Sequence, residues 1–205
     1  MINVSNLCVS YNGQAVFKDV SFKLEQGKKM VIAGKSGCGK TTMLHALLGF
    51  VGYCRGSVSI NGKPLTKNNI SFIREITSYM PQENAFPNVS VKSLLFDPLH
   101  WNKNKTIDHS NQMVYQYLQR LKLPENILDK ELNEISGGQK QRLLLISILL
   151  LNKKILILDE PTSSLDEEIS NEIRKYLIHE LDKTIIISTH DNSRKKYVDK
   201  ILELN

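Results

Sequence analysis

Residues 34–41 read Gly34-Lys35-Ser36-Gly37-Cys38-Gly39-Lys40-Thr41, a full G-x-x-x-x-G-K-[ST] pattern. The flanks constrain the fold as much as the pattern does. Before it, Lys28-Lys29-Met30-Val31-Ile32-Ala33 is a short apolar run with a β-branched pair, which reads as a strand. After it, Thr42-Met43-Leu44-His45-Ala46-Leu47-Leu48 reads as a helix. A strand that turns through glycines straight into a helix start is the geometry of a phosphate cradle. Glycines let the backbone curl so that successive N–H groups point inward. The helix start adds the positive end of its dipole. Lys40 is placed to reach β- and γ-phosphates, and Thr41 to offer a hydroxyl to Mg²⁺, with Thr42 beside it.

The chain has 205 residues, the size of one domain or of one core with a subdomain. Its most apolar stretch, Leu143–Leu151, has nine residues, whereas a membrane span needs about 20. It therefore reads as a buried helix. Met1-Ile2-Asn3-Val4 lacks the basic start and apolar core of a secretion signal. Cys8, Cys38 and Cys54 are odd in number and lack metal spacing, as expected of free thiols in a reducing compartment. The net charge is +6, but the lysines are scattered and no aromatic residues interleave with a basic cluster. A solvated surface accounts for that charge, and no nucleic-acid partner is expected.

Along the chain, Met1 to Leu24 reads as strands joined at Asn12-Gly13, a hairpin signal. Gly56–Ile60 followed by Asn61-Gly62 is another strand and turn, and Ile76–Met80 a strand ending at Pro81-Gln82. From about Ser90 to Asn152 the character is helical. Ile107, Val114, Tyr117, Leu118 and Leu121 approximate helical spacing up to Pro124. Ile155–Leu158 and Ile185–Ser188 are continuous apolar runs, as in strands buried on both faces of a parallel sheet. The expected fold is α/β: a mainly parallel central sheet, an antiparallel β subdomain at the N-terminus and an inserted helical subdomain. The expected division is one domain over 1–205, with its core at 1–82 and 153–205 and the helical part at about 83–152.

The run Ile155–Leu158 leads directly into Asp159-Glu160. The C-terminal end of a buried strand is where α/β sheets bind ligands. There Asp159 would hold Mg²⁺, and Glu160 would orient and deprotonate an attacking water.

Between these elements stands Ile135-Ser136-Gly137-Gly138-Gln139, followed by Lys140-Gln141-Arg142. With it the chain resembles the ATP-binding cassette (ABC) ATPases, over essentially its whole length and with every motif in family order. The signature departs from L-S-G-G-Q only by Ile135. The resemblance implies further roles. Gln82 matches the glutamine loop, a catalytic and Mg²⁺-facing position. Pro161-Thr162-Ser163-Ser164-Leu165-Asp166 is similar to the family's P-T-S-x-L-D segment, which makes Asp166 a dimer contact. Thr189-His190-Asp191 matches the switch histidine, with His190 donating to the γ-phosphate. Tyr11 sits where the family stacks an aromatic ring on adenine. Ser136, Gly137, Gly138 and Gln139 would act in trans, on nucleotide held by another subunit's phosphate loop; Ser136 and the two glycine N–H groups also suit a helix cap. Ser147 stands where an arginine is common, which puts one helix-surface contact in question.

The resemblance implies an ATP-hydrolysing, Mg²⁺-dependent subunit of an ABC transporter, dimerising head-to-tail with itself or a paralogue. It would drive a transmembrane permease on a separate chain, from the cytoplasmic face of the membrane, and contact it partly through Gln82 to Val91. The stretch Gln116 to Arg142 looks similar to short ATPases of iron- or metal-export systems. The alternative is a non-transport member of the superfamily acting on DNA or the ribosome. The DNA-repair type carries a long coiled coil and the translation type two cassettes, and this sequence has neither.

Overall fold

The computed structural model describes residues 1–82, 89–100, 111–190 and 198–204. The chain opens with β1 (Ile2–Tyr11) and β2 (Gln14–Leu24), paired antiparallel. At their turn Asn12 and Gly13 both have left-handed backbone, φ 50° and 80°. That is the two-residue turn whose twist matches paired strands. Then come β3 (Lys29–Ala33), α1 (Lys40–Leu47), β4 (Arg55–Ile60), β5 (Lys63–Pro64), α2 (Ile70–Ile76) and β6 (Thr77–Met80). The helical stretch supplies α3 (Val91–His100), α4 (Asn111–Arg120) and α5 (Gly137–Leu150). The chain closes with β7 (Ile155–Asp159), α6 (Glu167–Lys175), β8 (Thr184–Thr189) and β9 (Lys200–Glu203).

Two sheets result. The first, β2-β1-β4-β5, is antiparallel. The second, β6-β7-β8-β3-β9, is parallel throughout. Alternate residues of a strand face opposite sides, and the parallel sheet uses both. Val31, Ala33, Leu156, Leu158, Ile185 and Ile187 face a core shared with α3, α4 and α5. Met30, Ile32, Ile155, Ile157 and Ile186 face a second core shared with α1 and the antiparallel sheet. Each such side chain contributes about 1.5–3 kcal/mol by leaving water, which is why these strands read as unbroken apolar runs rather than alternations.

The expected fold class is observed, with small local corrections. The strand expected from Ile76 begins at Thr77, because Ile76 ends α2. Ser147 is buried on α5, its hydroxyl bonded to the Leu144 carbonyl at 2.8 Å. That departure from the family pattern therefore lies in the core, not on the helix surface. Ile107 falls outside the described residues.

Candidate functional site

In the parallel sheet Ala33 pairs with Thr189, and Asp159 with Ser188. The loop after β3, the acids at the end of β7 and the histidine after β8 therefore meet at the carboxyl ends of neighbouring strands. Sheet register alone brings together three segments that are far apart in the chain.

The loop is shaped by contacts within the chain. A Cβ on Gly34 would lie 2.4 Å from both Cys38 Sγ and the Leu204 carbonyl oxygen. Gly39 has φ 99°, and a Cβ there would meet Val16 of β2 at 2.6 Å. Lys35, Ser36 and Gly37 form the exposed crown, while Cys38, Thr41 and Thr42 are partly covered. Lys40 begins α1 and is only 6% exposed. Its ammonium folds back over the loop, donating to the carbonyls of Gly34 at 2.9 Å and Lys35 at 3.0 Å. It also lies 3.6 Å from Glu160 Oε1.

Asp159 is fully buried. Thr41 Oγ1 donates to its Oδ2 at 2.7 Å, and the Ser188 hydroxyl donates to its Oδ1. Glu160 follows with φ 48°, a left-handed backbone uncommon for a residue with a side chain. Its N–H donates to Ser188 Oγ at 2.9 Å. Its carboxylate is 8% exposed and lies against His190, with Oε2 2.7 Å from Nδ1, while the imidazole itself is half exposed. Glu160 thus faces a lysine on one oxygen and a histidine on the other. Next to the site, Tyr79 Oη lies 3.0 Å from His45 Nε2 of α1. Burial, and after it the Asp159 charge, pushes the Tyr79 phenol up to about 12, so it keeps its proton.

Thr41 and Asp159 offer a hydroxyl and a carboxylate on one spot, hard oxygen donors of the kind that Mg²⁺ takes. Mg²⁺ usually binds through one or two carboxylates, water and substrate phosphates. Among the described residues no cluster of three or more His, Cys, Asp or Glu forms a protein-only metal cage. The residues present therefore fit a cation shared with a nucleotide.

The remaining predicted residues lie on other segments of the chain. Gln82, exposed, lies two residues beyond Met80, which pairs with Leu158. The segment from Gln82 to Val91 expected to meet a permease lies mostly outside the described residues, as does Asp191. Tyr11 ends β1 with its ring 49% exposed. Asp166 caps α6, accepting from Ile169 N–H at 2.9 Å. Ser136 caps α5: Gln139 N–H donates to Ser136 Oγ at 3.2 Å, and Ser136 N–H to Gln139 Oε1 at 3.0 Å. This reciprocal box is the one that Ser followed by Gln three residues on would form. Ser136 and Gly137 are exposed, and a Cβ on Gly137 would meet nothing within 4 Å among the described residues.

Two residues here escaped the sequence reading. Ser188 had been read only as the end of an apolar strand, yet its hydroxyl serves both acids. Gln141 of α5 is 1% exposed and bonds across to Glu160. For Ser188 the available signal was a polar residue closing an apolar run; Gln141, between Lys140 and Arg142, gave no such signal.

Residues 17–163 match the family described as ABC transporter. An uncharacterized ABC transporter ATP-binding protein of Haemophilus influenzae is 35% identical over 93% of this chain and 88% of its own length. The energy-coupling factor transporter ATP-binding protein EcfA2 of Staphylococcus epidermidis is 32% identical over 95% of this chain and 71% of its own. A spermidine/putrescine import ATP-binding protein of Fusobacterium nucleatum is 34% identical over 100% of this chain, which spans 54% of that protein. Among solved structures, a dimeric bacterial ABC transporter cassette matches with TM-score 0.86 at 26% identity, over 100% of this chain and 94% of that one. A dimeric ATP-binding cassette in a post-hydrolysis state with ADP and Pi matches at TM-score 0.85 and 25% identity, over 100% and 94%. None of these supports an ATPase acting on DNA or the ribosome. Among the described residues no helix is long and apolar enough to cross a membrane. From its fold, its phosphate loop with paired acids and these relatives, the chain belongs to the ABC transporter family, as an ATP-binding and ATP-hydrolysing cassette.

Proposed function

We propose that this cassette hydrolyses MgATP as one half of a head-to-tail dimer and energises a transmembrane permease carried on a separate chain. It would sit on the cytoplasmic face of the membrane, as a single domain with its core at 1–82 and 153–205 and a helical part at about 83–152. The carrying observation is the division of the site. Thr41 is bonded to Asp159, Lys40 and His190 both face Glu160, and Ser188 bonds both acids. The Ser136 turn is bonded to itself and open outward. An open glycine-rich helix start suits an anion brought by another molecule.

In this reading the loop 34–41 and Thr42 hold the phosphates, and Tyr11 stacks on the base. Bound by Thr41 and Asp159, with Gln82 facing it, Mg²⁺ would supply charge neutralisation at the phosphates. Lys40 leaves the loop carbonyls for phosphate oxygens. Glu160 then takes a proton from the attacking water. His190, held by Glu160 on Nδ1, turns its other nitrogen toward the γ-phosphate. From the second chain Ser136, Gly137, Gly138 and Gln139 close over that phosphate, with Asp166 at the dimer contact. Cargo is selected by the permease.

The test is ATPase rate per chain against protein concentration. A composite site gives a rate that rises as dimer forms and rises further with permease in detergent. A rate per chain that stays constant down to dilutions holding only monomer overturns the reading.

A further inference from the structure

Gln141 lies one turn into α5, five residues beyond Ser136. Its side-chain amide is buried and fully used. Nε2 donates to the Glu160 carbonyl at 3.0 Å and to Ser163 Oγ at 3.3 Å, and Oε1 accepts from Ser164 N–H at 3.0 Å. All three partners belong to the turn that begins at Glu160. That turn closes on itself through Ser163 N–H to the Glu160 carbonyl at 3.2 Å. The same face of α5 approaches closely at Gly138, where a Cβ would stand 3.2 Å from Leu165 Cδ2 and from the Ser164 carbonyl oxygen.

The peptide groups of Glu160 are therefore held at both ends: N–H by Ser188, carbonyl by Gln141. A non-glycine residue in left-handed backbone persists only where its surroundings over-determine it. Without the Gln141 donor, Glu160 and the following turn have fewer restraints against relaxing. A shift there moves the carboxylate. We propose that Gln141 is a positioning residue for hydrolysis, setting the Glu160 carboxylate from the first turns of α5. It rests on the reading of Glu160 as the base. It also gives each chain a rigid link between its own base and its Ser136 turn, which would serve the partner's nucleotide.

The test uses the full chain and separates kcat from KM. Gln141→Met keeps length and removes donor and acceptor. Gln141→Asn keeps the amide but shortens its reach by one methylene, so that it no longer spans to the Glu160 carbonyl. Both should lower kcat about 10- to 100-fold, the cost of an ångström-scale misplacement. KM for ATP and affinity for a fluorescent ATP analogue should stay near wild type, because the phosphate loop is untouched. A purely structural role predicts something else: a lower melting temperature, with kcat normal per folded molecule well below it. Should Gln141→Met fail to fold, Gln141→Asn carries the test, since it keeps a polar amide and adds no charge. If Glu160→Gln abolishes turnover while both Gln141 variants keep wild-type kcat, the positioning role alone falls. If Glu160→Gln turns over normally, the assignment of the base falls with it.

Discussion

The loop at 34–41 and the turn at 136–139 are both glycine-rich starts of helices, yet they are held by opposite means. At the start of α1, Gly39 offers no side-chain cap. The loop is shaped by buried neighbours, by Lys40 folded onto its carbonyls and by Thr41 tied to Asp159. At the start of α5 a capping box satisfies the turn, and its surface stays exposed. The glycines differ in the same way. Gly34 is demanded by atoms of its own chain, whereas none of the described residues demands Gly137. One helix start is finished internally. The other is satisfied by its own cap and leaves its glycine open to solvent.

The largest effect should come from the internally finished half. Glu160→Gln keeps shape and hydrogen bonding but removes the base, so turnover should fall about 100-fold or more. ATP binding should persist, with an ATP-bound dimer on size exclusion. Normal turnover would end the assignment of Glu160.

Next is the outward half. Ser136→Arg should cut turnover about tenfold or more by denying closure over the γ-phosphate, while MgATP affinity at the chain's own loop stays intact. Mixed with Lys40→Ala chains it should regain activity, because one composite site of the heterodimer carries neither lesion. A Ser136→Arg protein with wild-type turnover would break the comparison.

The glycines give a smaller, thermodynamic contrast. Gly34→Ala drives a methyl into Cys38 Sγ and the Leu204 carbonyl and should cost about 1–3 kcal/mol of stability. Gly137→Ala should leave the isolated chain as stable or up to about 1 kcal/mol more stable, as for Gly to Ala within a helix. Equal destabilisation in denaturant titrations would remove the distinction.

The smallest effect concerns Cys38, partly covered within the loop. A maleimide should inactivate the protein by blocking the loop, and MgATP should slow that labelling several-fold while leaving exposed Cys54 unprotected. Identical Cys38 labelling rates with and without MgATP would show that nucleotide does not cover it.

Much of this was legible in the chain because the relevant signals are local. Ile155–Leu158 and Ile185–Ile187 declare their burial by composition, and Ser136 with Gln139 declares a cap by spacing. The hairpin at Asn12-Gly13 needs only two residues willing to adopt left-handed backbone. Strand order was not legible, because it depends on which buried strands lie side by side. Ser188 and Gln141 were missed for a like reason: the Ser188 hydroxyl gains meaning only when register brings Asp159 alongside, and the Gln141 amide only when α5 packs against the turn at Glu160. The helix α6 was also unannounced. Its apolar stripe was there to be read, since Ile169 and Ile173 stand four apart among charged residues and pack on the core, but nine residues give it only two such positions.

The position of β3 also has a consequence during synthesis. Its sheet neighbours are β8 and β9, at residues 184–189 and 200–203, while β3 itself spans 29–33. At about 5–20 residues per second, β3 leaves the ribosome roughly 8–30 seconds before β8 begins to be made. Through that interval Met30-Val31-Ile32-Ala33 is an apolar strand with both edges unpaired, and the glycine loop behind it has no sheet to hang from. Nascent chains should therefore gain nucleotide affinity only after β8 emerges. The long wait also exposes β3 to pairing with other chains, so slowing translation before residue 184 should favour aggregation over folding.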